Sequence, residues 1–147
     1  MKIYLDLCVY NRPFDDQGQG RIELETSIFI YILEQIEARK HTLVVSDVLK
    51  YENNLNRDIQ RKDRINSYFR LAGESVGIDA SAITEAEMLR DCGFGDIDAL
   101  HIALAGKSRA DCFVTCDDAI ISRYRKNRES ISVHVISLAE FAGLEVK

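Results

Sequence analysis

Short apolar segments alternate along this chain with longer segments of helical periodicity, and this alternation constrains the fold more than any other feature. The apolar segments are rich in β-branched and aromatic residues and therefore predict β-strands. They occupy residues 2–5, 42–45, 112–115 and 134–136, with a minor strand at 76–78. Strands separated by helices usually form a parallel sheet that is covered on both faces. We therefore expect an α/β fold with a mainly parallel central sheet.

The helical segments have recognisable limits. Ser46 and Asp96 are suited to be N-caps, and Ser137 with Glu140 forms a capping-box pattern for a terminal helix that ends near Gly143. Residues 11–20 hold the only proline and two glycines, which predicts a loop. The helices are predicted at about 21–39, from 47 onward, 62–71, 81–91, 96–107, from 117 onward and 137–143.

Length and composition favour one domain over residues 1–147, since the chain has no repeat, low-complexity tract or interior linker. No apolar run approaches the roughly 20 residues that span a bilayer. The chain starts with an apolar run that reaches Asp6 too soon for a secretory signal, so we expect a cytoplasmic protein. The cysteines form no C-x-x-C pair, which favours small buried residues over a zinc site or disulfides; they are Cys8, Cys92, Cys112 and Cys116.

Carboxylates follow the predicted strands. Asp6 comes directly after the first strand, and Asp117 lies two residues after the strand at 112–115. Asp98 lies in the first turn of a helix, and helical spacing lets Glu52 face the strand ends while Leu49 faces the sheet. Because open parallel sheets bind ligands beyond the carboxyl ends of their strands, the four acids are predicted to converge at one edge.

Converging carboxylates need a counter-charge. Two unit charges 4 Å apart repel by about 4 kcal/mol at an effective dielectric constant near 20. Hard divalent cations relieve this repulsion, and oxygen ligands suit Mg²⁺ or Mn²⁺ better than zinc. The alternative is that Asp96, Asp98, Asp117 and Asp118 only cap helices or interact with helix dipoles. Spacing alone leaves both interpretations open.

Net charge argues weakly against a nucleic-acid partner. The formal charge is −5, whereas phosphate binding usually relies on Lys and Arg. Positive charge is nevertheless concentrated at residues 61–64 and 123–128, and bound cations would reverse the sign at an acidic site. Arg123, Arg125 and Lys126, with Tyr124 available to stack on a base, are candidates for RNA binding. A solvated helix end is the competing interpretation.

Four segments in a fixed order resemble the PIN domain (PilT N-terminus), the fold of VapC-like toxin ribonucleases. One further stretch, residues 6–16, is similar to a particular PIN subgroup. Each motif is weak alone, whereas their shared order covers almost the whole chain. The segments are Ile3-Tyr4-Leu5-Asp6, Ser46-Asp47-Val48-Leu49-Lys50-Tyr51-Glu52, Asp98-Ala99-Leu100-His101-Ile102-Ala103-Leu104-Ala105 and Phe113-Val114-Thr115-Cys116-Asp117.

The resemblance implies a three-layer α/β/α sandwich and Mg²⁺- or Mn²⁺-dependent hydrolysis of RNA phosphodiester bonds. It implies that Asp6, Glu52, Asp98 and Asp117 are the catalytic acids, with Asp6, Asp98 and Asp117 binding metal. It also implies a homodimer and, for toxin members, a cognate antitoxin protein. Asp118 and Thr115 are expected to assist, and Asp96 is a possible auxiliary ligand, although a helix N-cap is the favoured role for it.

The chain departs from the family pattern after the first acid, where Leu7 and Cys8 replace a small hydroxyl or amide residue. A hydrogen bond that orients a metal ligand is therefore expected to be missing, which would weaken catalysis more than the fold. His101, one turn beyond Asp98, is either a donor to the acidic site or a packed helix histidine. His41 and His134 have no partner pattern.

Two other classes of protein fit parts of this pattern. A response-regulator receiver also places acids at strand ends, but it needs an acidic pair after the first strand, and Asp6-Leu7-Cys8 supplies none. A PIN-fold module that binds RNA or protein without cutting remains the main alternative to a metal-dependent ribonuclease. Metal titration together with a cleavage assay separates these functions.

Overall fold

A five-stranded parallel sheet forms the centre of the protein. In the computed structural model, which describes residues 1–146, the strands are β1 Lys2–Leu5, β2 Thr42–Ser46, β3 Glu74–Val76, β4 Cys112–Thr115 and β5 His134–Ser137. Their order across the sheet is β3-β2-β1-β4-β5, and each neighbouring pair is parallel. The predicted strands are confirmed, except that the minor strand lies two residues earlier.

Helices connect the strands and cover the sheet. They are α1 Leu7–Asn11, α2 Gly20–Glu37, α3 Asp47–Asn54, α4 Ile59–Phe69, α5 Ala80–Asp91, α6 Asp96–Lys107, α7 Asp118–Lys126 and α8 Leu138–Glu145, with 3-10 turns at Arg12–Phe14 and Arg128–Ser130. Within residues 1–146, no helix is both long and apolar enough to cross a bilayer.

The strand order determines where a ligand site can form. The chain moves outward from β1 to β2 and β3, and then returns across the sheet to β4 and β5. Since parallel crossovers are right-handed, the two directions place their helices on opposite faces. The expected three-layer α/β/α fold is confirmed. The direction reverses between β1 and β4, so a crevice opens at their carboxyl ends.

The two central strands are buried on both faces. Ile3, Tyr4 and Leu5 have no exposed surface, and every residue of β4 is buried. The rings of Tyr4 and Phe113 stack at 5.5 Å between centroids across these strands. The continuous apolar sequence of β1 and β4 thus reflects burial beneath helices on both sides.

Several predicted boundaries are wrong for local reasons. Asp58 caps α4 by accepting a hydrogen bond from Arg61 N–H at 3.2 Å, so this helix starts before residue 62. The N-cap of α6 is Gly95 rather than Asp96. Helix α8 continues past Gly143 to Glu145. The predicted loop at 11–20 includes the 3-10 turn Arg12–Phe14, which proline at its second position favours.

The predicted caps at Ser46 and Ser137 are confirmed. Ser46 Oγ accepts a hydrogen bond from Leu49 N–H at 3.2 Å, and Ser137 and Glu140 form the complete capping box. The cysteines are all free: two are buried and two are half-buried, in keeping with their predicted role as small packed residues.

Candidate acidic metal centre

Asp6 lies at the point where the sheet reverses direction. It follows β1 directly, and its backbone N–H still donates to Val114 of β4, at 2.9 Å. The residue is 6% exposed, and its carboxylate accepts hydrogen bonds from Leu7 N–H at 2.8 Å and from the Thr115 hydroxyl at 2.8 Å. Burial raises the pKa of Asp6, and Glu52 adds to this, while His101 and Thr115 oppose it.

Thr115 links the first and last acids. Its hydroxyl donates to Asp6 and accepts from Asp117 N–H at 3.1 Å, so it fixes the position of both residues relative to β4. Asp117 is exposed, caps α7 and accepts from Ala119 N–H at 2.9 Å. The predicted assisting position of Thr115 thus corresponds to a direct contact with Asp6.

Cys8 occupies the position at which a hydroxyl or amide was expected. Its thiol donates to Asp6 Oδ2 at 3.5 Å, and its sulfur lies 3.5 Å from Thr115 Oγ1. The expectation that this hydrogen bond is missing is therefore wrong: a weaker thiol donor replaces the usual group, and Thr115 supplies a stronger one. Contact with Cys116, burial and the charge of Asp6 all raise the pKa of the Cys8 thiol, which keeps it protonated as a donor.

Glu52 reaches the same edge from α3. Leu49, one turn earlier, is fully buried against the sheet, and this orientation turns Glu52 toward Asp6. Candidate ligand atoms of Asp6, Glu52 and His101 all lie within 4.8 Å of one another. Glu52 Oε1 is also hydrogen-bonded to His101 Nε2. Among the described residues, this is the one group of three or more His, Cys, Asp or Glu side chains whose candidate ligand atoms all lie that close together.

Asp98 is half-buried in the first turn of α6. Its pKa is raised to about 6, first by burial and then by the negative charges of Asp6 and Asp117. This mutual influence places Asp98 in the electrostatic field of the other acids. Asp98 and Asp117 lie outside the close group formed by Asp6, Glu52 and His101.

The two other acids predicted at the site, Asp96 and Asp118, are paired with arginines. Asp96 is exposed and pairs with Arg90 Nε at 2.7 Å. Asp118 receives two hydrogen bonds from the Arg21 guanidinium, at 2.7 and 2.8 Å, and this contact lowers its pKa. Of each neighbouring acid pair, 96/98 and 117/118, one member therefore has an arginine partner and the other does not.

Tyr4 and Ser46 are polar residues near the site that sequence reasoning missed. The Tyr4 hydroxyl lies 2.7 Å from His101 Nδ1 and 2.5 Å from Ser46 Oγ, and all three residues are fully buried. His101 is thus both a packed histidine and a partner of Glu52. The available signal was the presence of polar atoms on segments predicted to be buried, since such atoms require partners.

The basic segment at the end of α7 is exposed at Arg123, Arg125 and Lys126. Arg125 lies 3.4 Å from Glu140, and the Arg123 guanidinium lies directly over Gly93. Gly93 has φ +101°, and a Cβ there would stand 2.2 Å from Arg123 Nη1, so only glycine permits this approach. Tyr124 is buried, so its predicted role in base stacking is wrong. Burial of its ring against the core provides more stabilisation than exposure to solvent would.

The donor set suits hard divalent cations. Asp6, Glu52, Asp98 and Asp117 offer only carboxylate oxygens, and no lysine or arginine among residues 1–146 forms a salt bridge with any of them. Buried or half-buried carboxylates without cationic partners are costly unless an ion compensates them. The residues present therefore fit Mg²⁺ or Mn²⁺.

The protein has a PIN-like α/β/α fold, and its acidic side chains lie at the point where the sheet reverses direction. Three solved structures share this fold over nearly their whole length. VapBC2 from Rickettsia felis, bound to a DNA fragment from its promoter, has a TM-score of 0.60 and 16% sequence identity, covering 93% of this chain and 98% of that one.

The other two structures are also VapBC proteins. VapBC-1 from nontypeable Haemophilus influenzae has a TM-score of 0.54 and 12% identity, covering 95% of this chain and 99% of that one. DNA-bound VapBC from Salmonella typhimurium has a TM-score of 0.51 and 16% identity, covering 94% and 98%. No family profile matches the sequence, and no curated protein shows significant sequence similarity. At these identities the structures establish a common fold.

Proposed function

We propose that this protein is a metal-dependent endoribonuclease and the toxin of a toxin–antitoxin pair. The observation that carries the proposal is that candidate ligand atoms of Asp6 and Glu52 lie within 4.8 Å of each other at one sheet edge, with Asp98 in their electrostatic field. None of the three acids has a lysine or arginine partner among the described residues. Such an arrangement is unfavourable for stability alone and favourable for holding cations. Mg²⁺ or Mn²⁺ would supply electrostatic stabilisation of the charge that develops on a phosphodiester in its transition state.

The acids have two roles in this proposal. Asp6, Asp98 and Asp117 hold the cations, and Glu52 completes the shell around them and orients the attacking water. Thr115 keeps Asp6 and Asp117 in register through its two hydrogen bonds. Asp96 and Asp118 are outside the catalytic set, because arginines neutralise both.

A protein partner is supported by the three structural neighbours, each of which is a VapBC assembly. In this chain, Tyr51, Leu55 and Ile59 expose large apolar side chains around the α3–α4 connection, close to Glu52. Clustered exposed apolar residues are typical of interaction surfaces. We propose that an antitoxin covers the site from this side, and that the chain also pairs with a second copy of itself, in the cytoplasm.

Substitution of Asp98 by Asn tests the catalytic proposal. We expect D98N to reduce RNA cleavage at least about 100-fold with Mn²⁺ present, since it removes a metal ligand. The matched control is D96N, in the same helical turn, which should cleave at the parent rate. Incubation of the parent with structured and unstructured RNAs, with Mn²⁺ and with chelator, provides the reference. Equal cleavage by D98N and parent would refute the assignment, and metal binding without any cleavage would favour the non-cutting module.

The segment Arg123 to Lys126 is proposed to contact the RNA backbone. Reversing both charges in R125E/K126E should weaken RNA binding and flatten its dependence on salt, by about one to two in the slope of log K against log [salt]. K40E/R70E, two exposed basic residues near the opposite sheet edge, is the control. Equal salt slopes for the two double variants would exclude the segment from the RNA site.

A further inference from the structure

A buried chain of hydrogen bonds connects the sheet interior to Glu52. It runs from Ser46 at the end of β2, through Tyr4 of β1 and His101 of α6, to Glu52 of α3. Ser46, Tyr4 and His101 have no exposed surface, whereas Glu52 is partly exposed at the site. Four separate elements therefore contribute one residue each to a single path, and only its last member is exposed to solvent.

The direction of this chain is determined by its last member. The Glu52 carboxylate can only accept, so His101 Nε2 carries a proton and donates to it. A neutral ring protonated on Nε2 accepts at Nδ1, so the Tyr4 hydroxyl, 2.7 Å away, donates to it. The Tyr4 hydrogen is then used, so Ser46 Oγ, which also accepts the Leu49 N–H at 3.2 Å, donates to the Tyr4 oxygen at 2.5 Å.

The opposite tautomer is incompatible with these contacts. A proton on Nδ1 would direct the lone pair of Nε2 at Glu52 Oε1, placing two acceptors in contact. The same tautomer would be required for His101 to bind a metal through Nε2. The geometry thus separates His101 from the ligands, although its ring lies within 4.8 Å of the candidate oxygens of Asp6 and Glu52.

We propose that His101 is a positioning residue, held as the Nε2–H tautomer by Tyr4 and Ser46, which donates to Glu52 and keeps that carboxylate facing Asp6. This inference rests on the proposed function, since Glu52 matters only if the site binds cations. Glutamate loses substantial rotamer freedom when it is fixed, and a donor from a fully buried ring provides that restraint before any ion arrives. Residues that orient a metal ligand in this way tune affinity without touching the metal.

The tautomer is measured first, by long-range ¹H–¹⁵N correlation NMR of the histidine rings without metal or RNA. H101Q identifies the His101 signals. We expect hydrogen on Nε2 and none on Nδ1 in the parent, and a change in this pattern in Y4F. A proton on Nδ1 in the parent, alone or on a doubly protonated ring, would overturn the proposal. This measurement tests the tautomer even if the protein does not cut RNA.

Manganese affinity is measured next, by calorimetric titration. H101A should bind Mn²⁺ about 10- to 100-fold more weakly than the parent, and Y4F should be weakened in the same direction. H101Q, which keeps a side-chain N–H, should recover part of the loss. The losses of Mn²⁺ affinity caused by E52Q and by H101A should not add in the double variant, since both changes remove the same oriented carboxylate. Additive losses, or parent-like affinity in Y4F, would show that these residues are only structural.

Two matched controls accompany these variants. Y10F removes the hydroxyl of another fully buried tyrosine, one that has no hydrogen-bond partner among the described residues, so it should leave Mn²⁺ affinity unchanged. H41A removes a second contact between a histidine and a glutamate, the one with Glu145, and as a control it should also leave Mn²⁺ affinity unchanged. If D98N abolishes cleavage as expected while Y4F and H101A bind Mn²⁺ like the parent, the positioning role fails and the proposed function stands.

Discussion

The two ends of the parallel sheet treat charge in opposite ways. At the amino ends of the strands, acids have partners: Lys2 Nζ forms a salt bridge with Glu74 at 2.7 Å, and the backbone N–H of Lys2 donates to Asp111 at 2.7 Å. At the carboxyl ends, like charges approach one another, and burial together with neighbouring carboxylates raises the pKa of Asp98 to about 6. One end is arranged for stability, and the other retains a repulsion that folding alone does not require.

This contrast indicates which end of the sheet carries the functional site. Natural proteins depart from favourable electrostatics at functional sites and compensate elsewhere in the fold. Arg21 and Arg90 show that this chain can neutralise acids at the carboxyl edge, because they do so for Asp118 and Asp96. Asp98 and Asp117 remain without such partners among residues 1–146. A cation is therefore the expected partner of the acids left unpaired.

The largest expected effect is stabilisation by manganese. A ligand that binds only the folded state at 100 times its Kd stabilises that state by about 2.7 kcal/mol. We expect the midpoint of thermal unfolding to rise with Mn²⁺ concentration for the parent and for E74Q at the opposite end. The D98N/D117N variant should respond far less. An equal response from D98N/D117N would mean that manganese binds outside the carboxyl edge.

Changing a carboxylate to an amide should have opposite effects on the free energy of unfolding at the two ends of the sheet. One unit of pKa corresponds to about 1.4 kcal/mol, and solvent screens part of the interaction at half-buried Asp98. We therefore expect D98N to raise the free energy of unfolding at neutral pH without metal by about 1 to 2 kcal/mol. E74Q, which breaks the Lys2 contact, should lower it by up to about 1 kcal/mol. Urea unfolding with chelator present measures both, and a destabilised D98N would contradict the repulsion described above.

The gain in unfolding free energy of D98N over the parent should depend on pH. In the unfolded chain Asp98 ionises with a pKa near 3.9, whereas in the folded protein its pKa is about 6. The folded state therefore retains the proton more strongly, so ionisation costs it stability as pH rises from about 4 to 6. The difference in unfolding free energy between D98N and the parent should be near zero at pH 4 and reach its maximum above pH 6. A difference that is constant with pH would exclude ionisation of Asp98 as its cause.

Local patterns made much of the fold predictable. Burial of β1 and β4 on both faces requires continuous apolar residues, which identify them directly, and Ser46 and Ser137 cap helices through bonds spanning three residues. The parallel sheet follows from the alternation of these elements. Boundaries such as the Gly95 N-cap were mispredicted, because the preference of Asp for caps exceeds that of Gly by only a few tenths of a kcal/mol.

The candidate site was predictable only in part. The acids that follow strands were visible, because strand ends of a parallel sheet meet at one edge whatever the side-chain details. The contacts that decide which acids pair with an arginine could not be predicted, since Arg21 and Asp118 lie 97 positions apart in the chain. Cys8 shows the same limit: its substitution suggested a lost hydrogen bond, but the distance to Asp6 shows a weaker one.

Neighbouring residues were enough to predict the order of strands and helices along the chain, the acids at strand ends and the burial of the central strands, because each of these depends on residues within a few positions. Only the folded structure shows which acids have arginine partners, and that Tyr4, Ser46 and His101 form one hydrogen-bonded path to Glu52. Hydrogen bonds and direct ion pairs form at about 3 Å, and only the packing of distant elements brings such groups within that range.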